Sequence, residues 1–150
     1  MLGGIKINSL TYLAGLTPGW VAQTMVDDNL AEIDYDQIER LNINLAAISS
    51  MTMFVPRAYE IAGELRKRGI KTVLGGPHAT LCPDEAREHF DTVVVGEAEN
   101  IWEQVLKDFQ NGCMKPIYRS EGFVSPESFK TPDSRSFQDF TINNDSIIWN

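Results

Sequence analysis

A glycine pair at the end of a short apolar run, Gly75-Gly76, followed at once by Pro77 and His78, is the constellation with the clearest chemical use in this chain. Two adjacent residues without Cβ let a planar ligand or a phosphate-bearing tail approach the main chain closely. His78 adds a hydrogen-bond donor or metal ligand at the rim. The plainer alternative is a tight turn, with His78 capping the next helix or solvated. Ser49, Ser50 and Thr52, with Met51 among them, put small hydroxyls at the end of a second apolar run. They could hold a ligand's amides or phosphate, although such residues also punctuate ordinary strand-to-loop junctions. Gly96, Glu97 and Glu99 follow a third run. Their carboxylates could accept bonds from ligand amides or a ribose, or could simply complement a helix N-terminus. Asp27 and Asp28 form a weaker acidic tip, suited to a cation or a ribose. Cys82 has no basic neighbour to activate it and reads as an inert, partly buried thiol. His89 reads as exposed on a charged helix face. No GxSxG elbow, GxxxxGK(S/T) loop, HExxH helix or GxGxxG fingerprint occurs. Several ligand-facing loops without a nucleophile–base pair read as a binding module for a cofactor whose chemistry occurs elsewhere.

The elements that must carry these clusters follow from periodicity. Leu45 to Met51 is a short apolar run, and Pro56 suits a first helical position, where its missing N–H costs nothing. Ala58, Ile61, Ala62 and Leu65 then recur at helical spacing among charged residues, and Gly69 ends that helix. Lys71–Leu74 reads as a strand, Pro83–Phe90 as a short helix with acids in its first turn, and Thr92–Val95 as a strand stopped by Gly96. Glu99–Gln110 reads as a helix turning Ile101, Trp102, Val105, Leu106 and Phe109 inward, closed by Asn111-Gly112. Three strand–helix units in succession predict an α/β fold with a mostly parallel sheet of about 4–5 strands, covered on both faces. Right-handed crossovers would place Ser49–Met53, Gly75–Cys82 and Gly96–Glu99 on one edge.

Upstream, Trp20–Val26 suits a strand, Asp36–Leu41 a short helix, and residues 9–16 a helix capped by Ser9. Past Lys115 no period emerges over residues 119–146. Residues 1–118 therefore read as one α/β domain and 119–150 as an irregular C-terminal arm or linker. Ser146–Trp149 is a fresh apolar run that suits a strand, and its position at the end of the sequence points to a piece of a longer protein.

Bulk properties narrow the function. The 150 residues suit one domain, and 13 basic against 21 acidic residues give a formal charge of -8. That charge disfavours nucleic acid and anionic lipid as partners. Cys82 and Cys113 are the only cysteines and lie far apart, which argues against a disulfide framework or a self-contained metal site and for a reducing cytoplasm. No apolar run approaches the roughly 18 residues that span a bilayer.

Taken as an ordered set, Ala46–Met53, Pro56–Ala62, Val73–Ala86 and Val93–Glu99 resemble the N-terminal cobalamin-binding domain of cobalamin-dependent radical S-adenosylmethionine enzymes, most nearly the magnesium-protoporphyrin monomethyl ester cyclase-like group. The resemblance spans about residues 10–119. It implies a Rossmann-like (flavodoxin-like) three-layer sandwich laid beside a partial barrel that carries a four-iron cluster on CxxxCxxC and uses S-adenosylmethionine. It also implies that Ser50 and Thr52 lie near the cobalamin nucleotide tail, that Gly75 and Gly76 let the tail pass, and that Gly96 and Glu97 form the third loop. Ser49, Met51, Pro77 and His78 complete the expected cofactor contacts. DxHxxG, which carries a cobalt-ligating histidine in other cobalamin domains, is absent, and His78 lies in a different loop. The barrel and its cluster are expected downstream of this chain, which alone is not expected to catalyse a radical reaction. Relatives begin with a strand before the helix matched by residues 9–16, and Ile5–Ile7 is the candidate remnant. If that strand is missing, the sheet edge left behind must be covered otherwise, and self-association is expected. Two further readings stand beside this one: a cofactor-free docking or substrate-covering scaffold, and a flavin- or nucleotide-binding module using Gly75-Gly76 and Asp27-Asp28.

Overall fold

The computed structural model describes residues 13–26, 28, 32–121 and 146–149. Among these residues six strands form one sheet in the order β1-β6-β2-β3-β4-β5, and every adjacent pair is parallel. They are β1 (Ala22–Met25), β2 (Ile43–Ser49), β3 (Lys71–Gly75), β4 (Thr92–Val95), β5 (Ile117–Arg119) and β6 (Ser146–Trp149). The helices are α1 (Tyr35–Arg40), α2 (Val55–Lys67), α3 (Gly76–Leu81), α4 (Pro83–His89) and α5 (Trp102–Gln110), with a further helical turn at residues 13–16. The expected α/β sandwich with its parallel sheet is the observed fold.

Local chemistry explains the boundaries. Asp34 caps α1 by accepting from the Gln37 amide at 2.9 Å. Asn42, past the end of that helix, takes the left-handed conformation (φ 51°) that asparagine tolerates. Pro56 lies in the first turn of α2, and Gly69 closes it with φ 76°.

Two apolar layers flank the sheet. Alternation along the strands sends Ala46, Ile48, Leu74 and Val93 to one face, where Ile38, Ala58, Ile61, Leu65, Ala79 and Ala86 from α1 to α4 cover them. Leu45, Ala47, Val73 and Val94 face the other way, onto Trp102, Val105 and Leu106 of α5 and Leu13 and Leu16 of the first helical turn. The register slips between Ile43 and Leu45, so Ile43 shares a face with Ala46 and Ile48 despite its odd spacing.

Two placements differ from the sequence expectation. The sheet has six strands where about 4–5 were expected, and the boundary drawn after residue 118 falls inside β5. The last strand, expected to belong to an arm outside the domain, lies inside the sheet, with Trp149 level with Met25 of β1 and Ala47 of β2. It pairs with both neighbours, between β1 and β2. Ile5–Ile7 and the Ser9 cap lie outside the described residues, as do Asp27 and residues 122–145.

Candidate functional site

Because the strands are parallel, the loops after β2, β3 and β4 meet at the carboxyl edge of the sheet, the edge at which open α/β sheets bind ligands. The main chain of Ser50 fastens the first two loops together. Its amide donates to the Gly75 carbonyl at 3.4 Å, and its carbonyl accepts from the His78 amide at 3.1 Å. Its hydroxyl donates to the Met51 carbonyl at 3.0 Å.

The two glycines have different tasks. Gly76 starts α3 at φ +87°, and a Cβ there would lie 2.7 Å from Ser49 Oγ and 3.3 Å from the Ser50 amide and carbonyl. It is therefore a packing glycine, pressed against the β2 loop. Gly75 is extended, and a Cβ there would meet nothing within 4 Å. Of the pair, Gly75 is the one with open space beside it. Gly96 also packs: at φ +85° its Cβ position lies 3.3 Å from Ser120 Cβ.

His78 is not at the rim. It is 1% exposed, since α3 begins at Gly76 and turns the imidazole under the first loop. Its Nδ1 lies 3.3 Å from Thr52 Oγ1 and its Nε2 2.9 Å from the Tyr59 hydroxyl, which donates to Glu85 Oε1 at 3.0 Å. Burial, then the hydrogen bond to Glu85, push the Tyr59 phenol well above its ordinary pKa, so the proton stays on oxygen. His89, expected to be exposed, is half-buried and stacks on Tyr59 with ring centroids 3.8 Å apart. Ligand atoms of His78, Cys82 and Glu85 come within 4.8 Å of one another, the grouping among the described residues that could hold a metal ion. The Tyr59 hydroxyl already bridges two of them.

Sequence reasoning missed Thr80 and Tyr59. Thr80 Oγ1 donates to the Gly76 carbonyl at 3.2 Å and accepts from the Gly96 amide at 3.0 Å, joining the second loop to the third. Thr80 sits four residues after Gly76, a spacing that signals this back-bond in a helix. Nothing local links Tyr59 to His78. Asp28, expected to be open to a ligand, is held by Arg57 through two 2.9 Å bonds, which keep its carboxyl below the usual range. Burial, and then the neighbouring Glu97 charge, raise Glu99, although its own amide opposes the shift.

In the loop after β2, Met51, Met53 and Phe54 are 52%, 74% and 54% exposed, and Met25 at the end of β1 and Leu81 at the end of α3 are exposed as well. A shallow concavity of about 450 Å³ lies at the opposite edge, lined by Arg66, Lys67, Lys71 and Asp91, and contains none of the loop residues.

Residues 19–106 match the family described as B12 binding domain. The chain belongs to the B12-binding domain family. Over 116 residues it is 41% identical to bacteriochlorophyllide d C-8(2)-methyltransferase of Chlorobaculum tepidum, which covers 77% of this chain and 25% of that protein. Over 94 residues it is 34% identical to bacteriochlorophyllide d C-12(1)-methyltransferase of the same organism, covering 63% of this chain and 20% of that one. The B12-binding domain thus spans about a quarter or less of the length of these relatives. A crystal structure of the N-terminal domain of a hypothetical protein from Thermotoga maritima aligns with 60% of this chain and 74% of its own at 28% identity and a TM-score of 0.48. Among the described residues, no helix of the B12-binding domain is long and apolar enough to cross a membrane.

Proposed function

We propose that this domain holds cobalamin at the carboxyl edge of its sheet, as one part of a larger radical S-adenosylmethionine methyltransferase whose barrel and iron–sulfur cluster lie outside this chain. The observation that carries the reading is the exposure of Met51, Met53 and Phe54 beside loops closed by hydrogen bonds. Soluble domains rarely expose contiguous large apolar side chains without a partner for them. A corrin offers a broad apolar ring edged by amides, which suits thioether and phenyl side chains flanked by hydroxyls and carbonyls.

The residues present fit that group. Gly75 leaves open space at the strand end, Gly76 and Thr80 hold the second loop in place, and β6 closes the sheet floor between β1 and β2. In this reading Ser49, Ser50, Met51 and Thr52 line one side of the tail's path, Gly75 and Pro77 the middle, and Gly96 with Glu97 the far side. His78 acts from beneath, through Thr52. When bound, cobalamin would supply methyl-carrier chemistry, in keeping with the methyltransferase names of the relatives.

Titration of the full chain with hydroxocobalamin tests this, read by the visible spectrum and by co-elution on gel filtration. Saturable spectral change with retention of the corrinoid is expected. No change and no retention at high excess would overturn cobalamin binding. Association with a separately expressed barrel would then favour the cofactor-free scaffold, and saturable binding of flavin mononucleotide would favour a nucleotide module.

A further inference from the structure

The structure assigns Thr52 a single hydrogen-bonding sense toward the cleft: its oxygen accepts, and the ligand atom it reads is an N–H donor of a peripheral amide, not a phosphate or carboxylate oxygen. The assignment of the amide to cobalamin rests on the cobalamin reading above; the orientation of the hydroxyl does not.

Counting protons along the Glu85–Tyr59–His78–Thr52 chain fixes that sense. A carboxylate can only accept, and a phenol has one proton. Tyr59 donates that proton to Glu85 Oε1 at 3.0 Å. Its oxygen can therefore only accept from His78 Nε2, 2.9 Å away. In a neutral imidazole one nitrogen donates and the other accepts, so Nδ1 carries a lone pair. Thr52 Oγ1, 3.3 Å from Nδ1, must supply the hydrogen. The Thr52 side chain belongs to an exposed residue at the carboxyl edge and retains both oxygen lone pairs for a ligand. Burial of His78 and stacking of His89 on Tyr59 hold the chain in place. Tyr59 and His78 are positioning residues here, and Thr52 is the contact. An anionic oxygen placed at Thr52 would face lone pairs and bind poorly, whereas an amide N–H would be satisfied.

Two measurements on the full chain at pH 8 decide the matter. Long-range ¹⁵N–¹H correlation spectra of the imidazoles should show His78 as the Nε2–H tautomer, and assignment is simple because His78 and His89 are the only histidines. The Nδ1–H tautomer, or an imidazolium, would overturn the orientation of Thr52. Hydroxocobalamin is then compared with its monocarboxylic acid derivatives, each with one peripheral amide converted to a carboxylate. One derivative should bind about tenfold more weakly than the parent, the scale of one lost polar contact with a buried or oriented partner. Thr52→Val should bring that ratio to within about twofold, and Thr52→Ser should preserve it. Equal affinity of the parent and every derivative for the wild-type chain would overturn the amide assignment while leaving cobalamin binding intact. Absence of hydroxocobalamin binding would overturn the cobalamin reading and the amide assignment together, with the spectra still deciding the hydroxyl's orientation.

Discussion

The two edges of the same sheet are built in opposite ways. At the amino edge, Asp91 accepts from the Thr72 amide and hydroxyl, both at 3.0 Å, and from Lys71 Nζ at 2.9 Å, while its own amide donates to Thr72 Oγ1. Burial alone would raise this carboxyl, yet the bonds from Lys71 and Thr72 outweigh it and hold Asp91 below its ordinary range. At the carboxyl edge the main chain is fastened through Ser50 and Thr80, but the large apolar side chains of Met51, Met53 and Phe54 are left exposed. Groups that satisfy one another add stability, and groups left over are those available to a ligand. The comparison therefore separates residues whose loss should unfold the domain from residues whose loss should empty it.

The sharpest way to break that distinction is at the glycine pair. Gly76→Ala puts a Cβ against Ser50 main chain at positive φ, and should cost about 3 kcal/mol in urea unfolding. Gly75→Ala meets no atom, and should change stability by less than about 1 kcal/mol while weakening hydroxocobalamin binding. Equal destabilisation by the two would mean that Gly75 is also structural.

Next in size is Asp91→Ala, which leaves the buried Thr72 hydroxyl and amide without their acceptor. A loss of about 2 kcal/mol is expected, with cobalamin affinity of the folded fraction unchanged; weaker binding by a fully folded variant would show that the amino edge also matters to the ligand. A smaller effect is the acid response. The folded Asp91 and Asp28 carboxyls lie below their ordinary values, so their contribution is complete above an unfolded pKa of about 3.9 and is lost as pH falls through the lower folded values. Urea midpoints should therefore drop between about pH 4 and pH 2, and Asp91→Asn should flatten that slope. Midpoints unchanged across this window would remove Asp91 as a fastening. Smallest for stability is Met53→Ala, within about 0.5 kcal/mol because the side chain is exposed. Its effect should instead be a several-fold loss of hydroxocobalamin affinity, and unchanged affinity would place the corrin elsewhere than on these exposed side chains.

Much of the fold was legible because its signals are local. The spacing of Ala58, Ile61, Ala62 and Leu65, the proline at 56 and the glycine at 69 mark α2 within a residue or so. Alternation could not be seen in β2, where every side chain from Leu45 to Ile48 is buried because both faces are covered. The strand ends that carry the proposed site were legible for the same reason as the helices. Their separate tasks were not: Gly75 and Gly76 look alike in sequence, and only the position of Ser49 and Ser50 across the loop distinguishes them. Asp28 looked free because Arg57, its partner, is 29 residues away.

By itself, the sequence determined the succession of strands and helices, the three loops at their ends and the family those loops resemble, since each depends on residues within a turn or two of one another. Only the tertiary structure decided that Ser146–Trp149 pairs between β1 and β2, that His78 is buried, and that its two ring nitrogens meet Thr52 and Tyr59. Those outcomes depend on pairings between distant parts of the chain, which strand propensity and helical period leave undetermined.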